Sequence, residues 1–223
     1  DVEWELGVER GIVSGDSICL GGLVANTEYQ LKVRPVCDAG VESPWSIFTF
    51  ITTCEAVEVK EGSSFVESFE TYSDNDVFDN CWTEEHLLGS NRWLINNVDV
   101  SVMASANSGS KFMSLSSRGG FNKNRVMRDF VLEGGKYYRV SVYAMQSDKA
   151  SAYVSLVSNV NAQREVVTLV REEVSNIGYQ KLTAELFVEE TGIYSLGIFG
   201  EVPSSSWNLM IDDFTVEALV VGT

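Results

Sequence analysis

Apolar and polar residues alternate with a period of two along much of this chain, the pattern of strands with one buried face. In EYQLKVRPVC, Tyr29, Leu31 and Val33 share a face. WSIFTFITT is rich in β-branched and aromatic residues, which suit a pleated surface. VEWEL and DSICL read as two further strands, and DAGVESP as a turn set by Gly40 and Pro44. Beyond Cys54 the candidates recur: KFMSLSS, RVMRDFVL, YYRVSVYAM, SAYVSLVS, EVVTLVREEV, QKLTAELFV and GIYSLGIFG. Clusters of Gly, Asn and Ser separate them. Short strands with frequent turn signals predict an all-β sandwich or jelly roll. REVVTLVREEV also fits helical spacing, but its β-branched residues favour a strand.

One pattern breaks the rule. WNLMIDDFTVEAL, residues 207 to 219, reads as a closing strand with Asp212 and Asp213 in its middle. Strict alternation puts Asp212 on one face with Met210, Phe214 and Val216, taken as the core side. Glu70, after Phe65, Val66 and Phe69, meets apolar surroundings too. Buried carboxylates need partners. Two arrangements supply them: backbone N–H groups at a strand end, or a hard cation. Calcium takes roughly 6–8 oxygen ligands, carboxylate and carbonyl alike. First and last strands often pair in sandwiches, so Glu70 and Asp212 are the expected charged ligands. The Asn107-Ser108-Gly109 turn would add carbonyls and the Asn107 side chain, with Asp213 a solvated neighbour.

Composition narrows the function. The chain carries 32 acidic against 16 basic residues, a net charge of −16. That argues against nucleic acid, whose binding depends on Lys and Arg, and against anionic membrane surfaces. No apolar run approaches the ~18 residues of a membrane span, so no membrane insertion is expected. No signal-like N-terminus stands at Asp1, which is read as following a cut. Four cysteines without a CxxC pair, beside a single histidine, make a zinc site improbable. SDNDVFDN, residues 73 to 80, departs from the EF-hand pattern and reads as an ordinary loop. His86, beside Glu84 and Glu85 in an expected loop, has no nucleophile elbow to serve. Adjacent strand residues point to opposite faces, so neither Glu84/Glu85 nor Asp212/Asp213 should converge on a glycosidic bond. No enzymatic activity is expected. Trp82, Trp93, Tyr137, Tyr138 and Trp207 are the aromatic residues weighed as sugar platforms. Most such rings fill cores; Trp207, after three serines, has the best claim to exposure and to ligand binding.

Two resemblances sharpen this reading. Leu23, Asn26-Thr27-Glu28-Tyr29, Val33, Ser43, Trp45 and Phe50 resemble the second half of a fibronectin type III domain, with its Leu-x-x-x-Thr-x-Tyr tyrosine corner. The closing VRPVC…SPWS…FTFITTC looks like the version found in Bacteroidetes cell-surface proteins. The resemblance implies a partial domain over residues 1–53, its first two strands absent. Apolar residues would then be exposed unless another segment or chain completes the sheet. SFVESFE, CWTEEHLLGSNRW, NSGSKFMSLSS and the terminal W-x-L-x-IDDF-x-V resemble MAM-like jelly rolls, above all the cleaved-adhesin modules attached to gingipains. That implies a second domain over residues 54–219, a structural calcium near Glu70, Asn107 and Asp212, and a Cys54–Cys81 disulfide, with Cys19 and Cys37 free. It implies an extracellular or bacterial cell-surface module that binds host glycoprotein, extracellular matrix or polysaccharide without catalysis. The alternative is a structural spacer, or an accessory domain of a secreted peptidase or glycosidase.

Overall fold

The computed structural model describes residues 1–15, 17–36, 43–52, 54–76, 81–96, 105–117, 120–146, 152–160, 166–175, 178–203 and 208–220. The chain divides into two compact units, Asp1–Glu55 and Ala56–Thr223. Both are built of strands, and among the described residues no helix is long and apolar enough to cross a membrane.

The first unit is one antiparallel sheet of β1 (Val2–Leu6), β2 (Glu9–Val13), β3 (Glu28–Pro35) and β4 (Ser46–Ile51), ordered β2-β1-β3-β4. Register puts Trp4, Leu6, Leu31, Val33, Phe48 and Phe50 on one face. The other carries ion pairs such as Arg34–Glu3 at 2.6 Å. Among the described residues of this unit Leu6 is the one buried apolar side chain, and Phe48 is 56% exposed. The apolar face is thus half a core. Tyr29 Oη accepts the Val24 N–H at 2.9 Å. DSICL is corrected: Ser17–Leu20 form no strand, and Asp16 lies outside the described residues. Alternation marks a chain able to form a strand, but a strand also needs a neighbour to pair with, and no described residue pairs with this stretch.

The second unit is a sandwich of two sheets. One sheet orders β13 (Val166–Val174), β12 (Ala152–Val160), β15 (Gly192–Val202), β10 (Asn122–Leu132) and β5 (Val57–Glu58), with β7 (Thr83–Leu88) also on β10. The other orders β14 (Gln180–Val188), β11 (Lys136–Gln146), β16 (Asn208–Ala218), β9 (Met113–Ser116) and β8 (Trp93–Ile95), with β6 (Ser64–Glu67) also on β16. β13 is a strand, as its β-branched residues predicted. β7 corrects the expected loop around His86: a charged edge strand shows no apolar alternation to read. The inner faces interdigitate around Trp93, Tyr138, Phe130 and Phe214, all fully buried. Trp82 meets Phe214 edge-on at 5.5 Å between ring centroids, and Phe65 meets Phe130 at 5.2 Å. Such pairs add about 0.5–1.5 kcal/mol beyond the area they bury.

β6 and β16 pair antiparallel, Phe65 opposite Val216 and Glu67 opposite Phe214. An early strand of this unit and its last strand therefore lie side by side. β16 carries a bulge against β11: Ser141 pairs with Thr215, and Tyr143 with Asp212. Asp213 takes up the extra residue with a positive φ of 50°, a conformation that Asp tolerates better than most residues.

Candidate functional site

The bulge decides where the aspartates point. Before it, Leu209 and Ile211 face the core; after it, Phe214 and Val216 do. Asp212 is left on the opposite face with Met210. Strict alternation had placed Asp212, Phe214 and Val216 together; the extra residue switches the parity between them. Asp212 is nonetheless fully buried. A satellite cluster of Phe112 and Met210, flanked by Ala106, Met145 and Tyr179, surrounds this part of the outer face.

The partner of the aspartates is the turn at 107–111. Asp212 Oδ2 accepts the Asn107 N–H at 2.8 Å and the Ser108 N–H at 3.0 Å, and Oδ1 accepts the Asp213 N–H at 2.8 Å. Asp213 accepts from Asn107 Nδ2 at 2.9 Å and Ser108 Oγ at 2.7 Å. Asp213 is therefore a second grip on the turn rather than a solvated bystander. The expectation that adjacent acids diverge fails here for the same reason, the bulge.

Glu70, in the turn that follows β6, holds the same turn from the other side of the chain order. Its Oε1 accepts the Ser110 N–H at 2.8 Å and the Lys111 N–H at 2.7 Å, and its Oε2 accepts Ser110 Oγ at 2.9 Å. Gly109, at φ +59°, passes so close that a Cβ would stand 2.5 Å from Glu70 Oε1. Phe69, buried and itself at φ 61°, turns the chain so that Glu70 reaches outward. Glu70, Asn107 and Asp212 are thus brought to one turn, with the carboxylates gripping it at successive residues. Asp74, from the second acidic stretch, accepts from Lys111 Nζ and from Asn96 Nδ2. Asp76 Oδ2 caps the Ser73 N–H at 3.1 Å. Residues 77–80 of that stretch lie outside the described residues.

Electrostatics separate the carboxylates. Burial, with Asp213 beside it, pushes the Asp212 carboxyl up to about 6 against the pull of its N–H bonds. Burial works to raise Glu70 also, but its bonds from Ser110 and Lys111 win and hold it below the usual range. Tyr179 is raised by burial and by both aspartates, and its buried hydroxyl has no hydrogen-bond partner among the described residues. The turn meets these carboxylates with N–H and hydroxyl donors, the backbone N–H arrangement of the two expected, and Asn107 presents its amide nitrogen to Asp213 rather than an oxygen to a cation. Among the described residues no group of three His, Cys, Asp or Glu converges on one point that could hold a metal. A cation here would need carbonyl and hydroxyl oxygens to complete its shell.

The remaining sequence candidates fall as follows. Trp207 lies outside the described residues. Trp82, Trp93 and Tyr138 are core. Tyr137 is exposed, on the outer face of the β11 sheet. His86 stands in β7 with Nδ1 3.2 Å from Asn124 Nδ2 and Nε2 3.7 Å from Glu84. Cys54 and Cys81 are each disulfide-bonded and Cys19 is a free, exposed thiol; Cys37 lies outside the described residues. Non-reducing peptide mapping is expected to recover Cys54 and Cys81 in one cross-linked peptide pair. A loop of that length contributes about 3 kcal/mol on the chain-entropy account. Two unlinked peptides from oxidised protein would refute the pairing.

No family model matches the chain, and no curated protein does. Solved structures do. The K2 cleaved adhesin domain of Lys-gingipain aligns with a TM-score of 0.54 at 16% identity, covering 71% of this chain and 100% of that one. The K1 cleaved adhesin domain of Lys-gingipain from Porphyromonas gingivalis W83 aligns at 0.51 and 15% identity, covering 71% and 100%. The CBM22-1 xylan-binding domain of Paenibacillus barcinonensis Xyn10C aligns at 0.49 and 14%, covering 74% and 99%. The chain therefore shares the jelly-roll sandwich fold of the adhesin domains.

Proposed function

We propose that this chain is a non-catalytic binding module of a secreted or cell-surface protein, recognising polysaccharide, host glycoprotein or matrix. One observation carries the non-catalytic part. Glu70, Asp212 and Asp213 are spent on holding a turn through seven hydrogen bonds, three to Glu70, two to Asp212 and two to Asp213. A general acid or base must instead have a lone pair or proton free to reach a substrate. The adhesin-like fold supports a binding role by analogy of fold. Purified protein on an array of glycans and matrix proteins is expected to give saturable binding to at least one class. Binding to none of them would leave the spacer reading.

We propose further that calcium occupies the neighbourhood of Glu70, Asn107 and Asp212 and locks the 107–111 turn to the two segments that carry the acids. The ion would supply the positive charge that buried Asp212 lacks, and its binding energy would add to folding. Melting in millimolar calcium should exceed melting in chelator by several degrees; equal values would remove the ion. For the first unit, the exposed apolar face and the Tyr29–Val24 bond favour a fibronectin type III sheet covered by another segment or chain.

A further inference from the structure

The outer face of the β14-β11-β16 sheet carries an aromatic pair that packs on nothing in the core. Tyr137 and Phe187 are cross-strand neighbours, 4.9 Å between ring centroids and tilted by 46°. They are 45% and 46% exposed. In a unit that buries Trp93, Tyr138, Phe130 and Phe214 completely, two half-exposed rings side by side make a patch rather than a lone exposed residue. A cross-strand pair contributes roughly 0.2–1 kcal/mol to a sheet, which accounts for their meeting but not for their exposure.

The next row of the same face is ionic. Arg139, two residues along from Tyr137, pairs across the ladder with Glu185 on one side and Glu217 on the other. Its two terminal nitrogens are divided between them, 3.1 Å to Glu185 and 3.4 Å to Glu217. All three side chains keep between 39% and 54% of their exposure. Beyond lies a row of hydroxyls, Thr183, Ser141 and Thr215 in register. Rows on one face are about 7 Å apart along a strand and neighbouring strands about 5 Å apart. An apolar ring surface thus lies about one sugar width from a spread fork of donors and acceptors.

We propose that this face is a stacking site for a neutral sugar chain, with Tyr137 and Phe187 as the platform and Arg139, Glu185 and Glu217 binding its hydroxyls. The proposal rests on the binding-module reading and gives it a place and a ligand class. The apolar C–H face of a pyranose suits the rings, while vicinal hydroxyls suit a guanidinium flanked by carboxylates. Charge selects the class: two carboxylates face one guanidinium, on a chain of net −16. Anionic glycans are repelled.

Affinity electrophoresis of the full chain tests this, with galactan, xylan and mannan as neutral probes and hyaluronan and heparin as anionic ones. The wild type should be retarded by at least one neutral probe and by neither anionic one. Phe187→Leu keeps apolar bulk but removes the ring, and it should weaken retardation about tenfold or more with an unchanged melting temperature. Tyr137→Ala should do the same, whereas Phe121→Ala, outside this sheet, should change nothing. Neutral binding untouched by Phe187→Leu and Tyr137→Ala would overturn the site while leaving the module reading intact. Retardation by anionic probes alone would overturn the ligand class. No retardation by any probe, together with a blank glycan and matrix array, would overturn both. Binding to a glycoprotein that survives its deglycosylation, and is lost in Phe187→Leu, would make this face a protein-docking surface instead.

Discussion

Gly197→Ala is expected to unfold the second unit. Gly197 sits mid-strand in β15, opposite Met127 of β10 and Val157 of β12. A Cβ there would stand 1.9 Å from the Val126 carbonyl oxygen and 2.7 Å from the Met127 Cα. Both obstacles are backbone, so no rotamer change relieves the clash; β10 and β15 must separate. These are the central strands of their sheet, and β10 supplies the fully buried Val126, Phe130 and Leu132. Parting them exposes core and unpairs ladder hydrogen bonds together, a loss of about 4 kcal/mol or more, in the range of the largest single-residue effects. For a unit of this size the melting temperature should fall by about 10 °C or more, or the protein should be insoluble. Gly200→Ala is the matched comparison. Its Cβ meets side chains, the Trp93 ring at 2.6 Å and a Leu209 methyl at 3.0 Å, which can give way. Overpacking of that kind costs roughly 1–3 kcal/mol. Thermal melts in which Gly197→Ala and Gly200→Ala lose equally would refute the distinction between backbone and side-chain obstruction.

Neither glycine was legible as special in the sequence. GIYSLGIFG reads as a strand by its apolar residues, and as a strand it folds. What the pattern lacks is any sign of how closely the neighbouring strand passes. The same boundary recurs elsewhere. Strands rich in Val, Ile, Tyr and Phe announce themselves, because burial on one face is a local property of the residue order. β7 does not, because TEEHLL is charged and gains its strand conformation from pairing with β10. Ser17–Leu20 errs the other way, with a suitable alternation and no described partner. At the site, the order of the segments sufficed to bring Glu70 and Asp212 to one turn, since β6, just before Glu70, pairs with the last strand. The face on which Asp212 lies was misread. One bulge residue, Asp213, reverses inside and outside, and nothing in IDDF distinguishes a bulged aspartate from a regular one. The exposed Phe187 was hidden in QKLTAELFV, where a phenylalanine reads as core until register assigns it to the solvent face.

Asp212→Asn should stabilise the calcium-free protein at neutral pH and abolish its response to calcium. The sign follows from the direction of its shift. Folding raises the Asp212 carboxyl from an unfolded value near 4 to about 6, so the folded state binds the proton more tightly. Its contribution is full below the unfolded value, is lost as pH rises toward 6, and is absent above. That difference corresponds to roughly 3 kcal/mol, carried as a penalty by the ionised form at pH 7.5. Asparagine removes the charge and keeps a carbonyl oxygen for the Asn107 and Ser108 N–H groups. It forfeits the acceptor for the Asp213 N–H, at about 1 kcal/mol, so a net gain of roughly 2 kcal/mol remains in chelator. Glu70 and Glu201, both held low, give stability the opposite slope, lost as the solution is acidified. The informative quantity is therefore the difference between variant and wild type, which should grow between pH 4 and pH 6 and level off above. With the proposed calcium bound at pH 7.5 the order should reverse, because a charged carboxylate holds the ion more strongly than a neutral amide oxygen. A variant less stable than the wild type at every pH in chelator, and a wild type indifferent to calcium, would make Asp212 a hydrogen-bonded structural anion and nothing more.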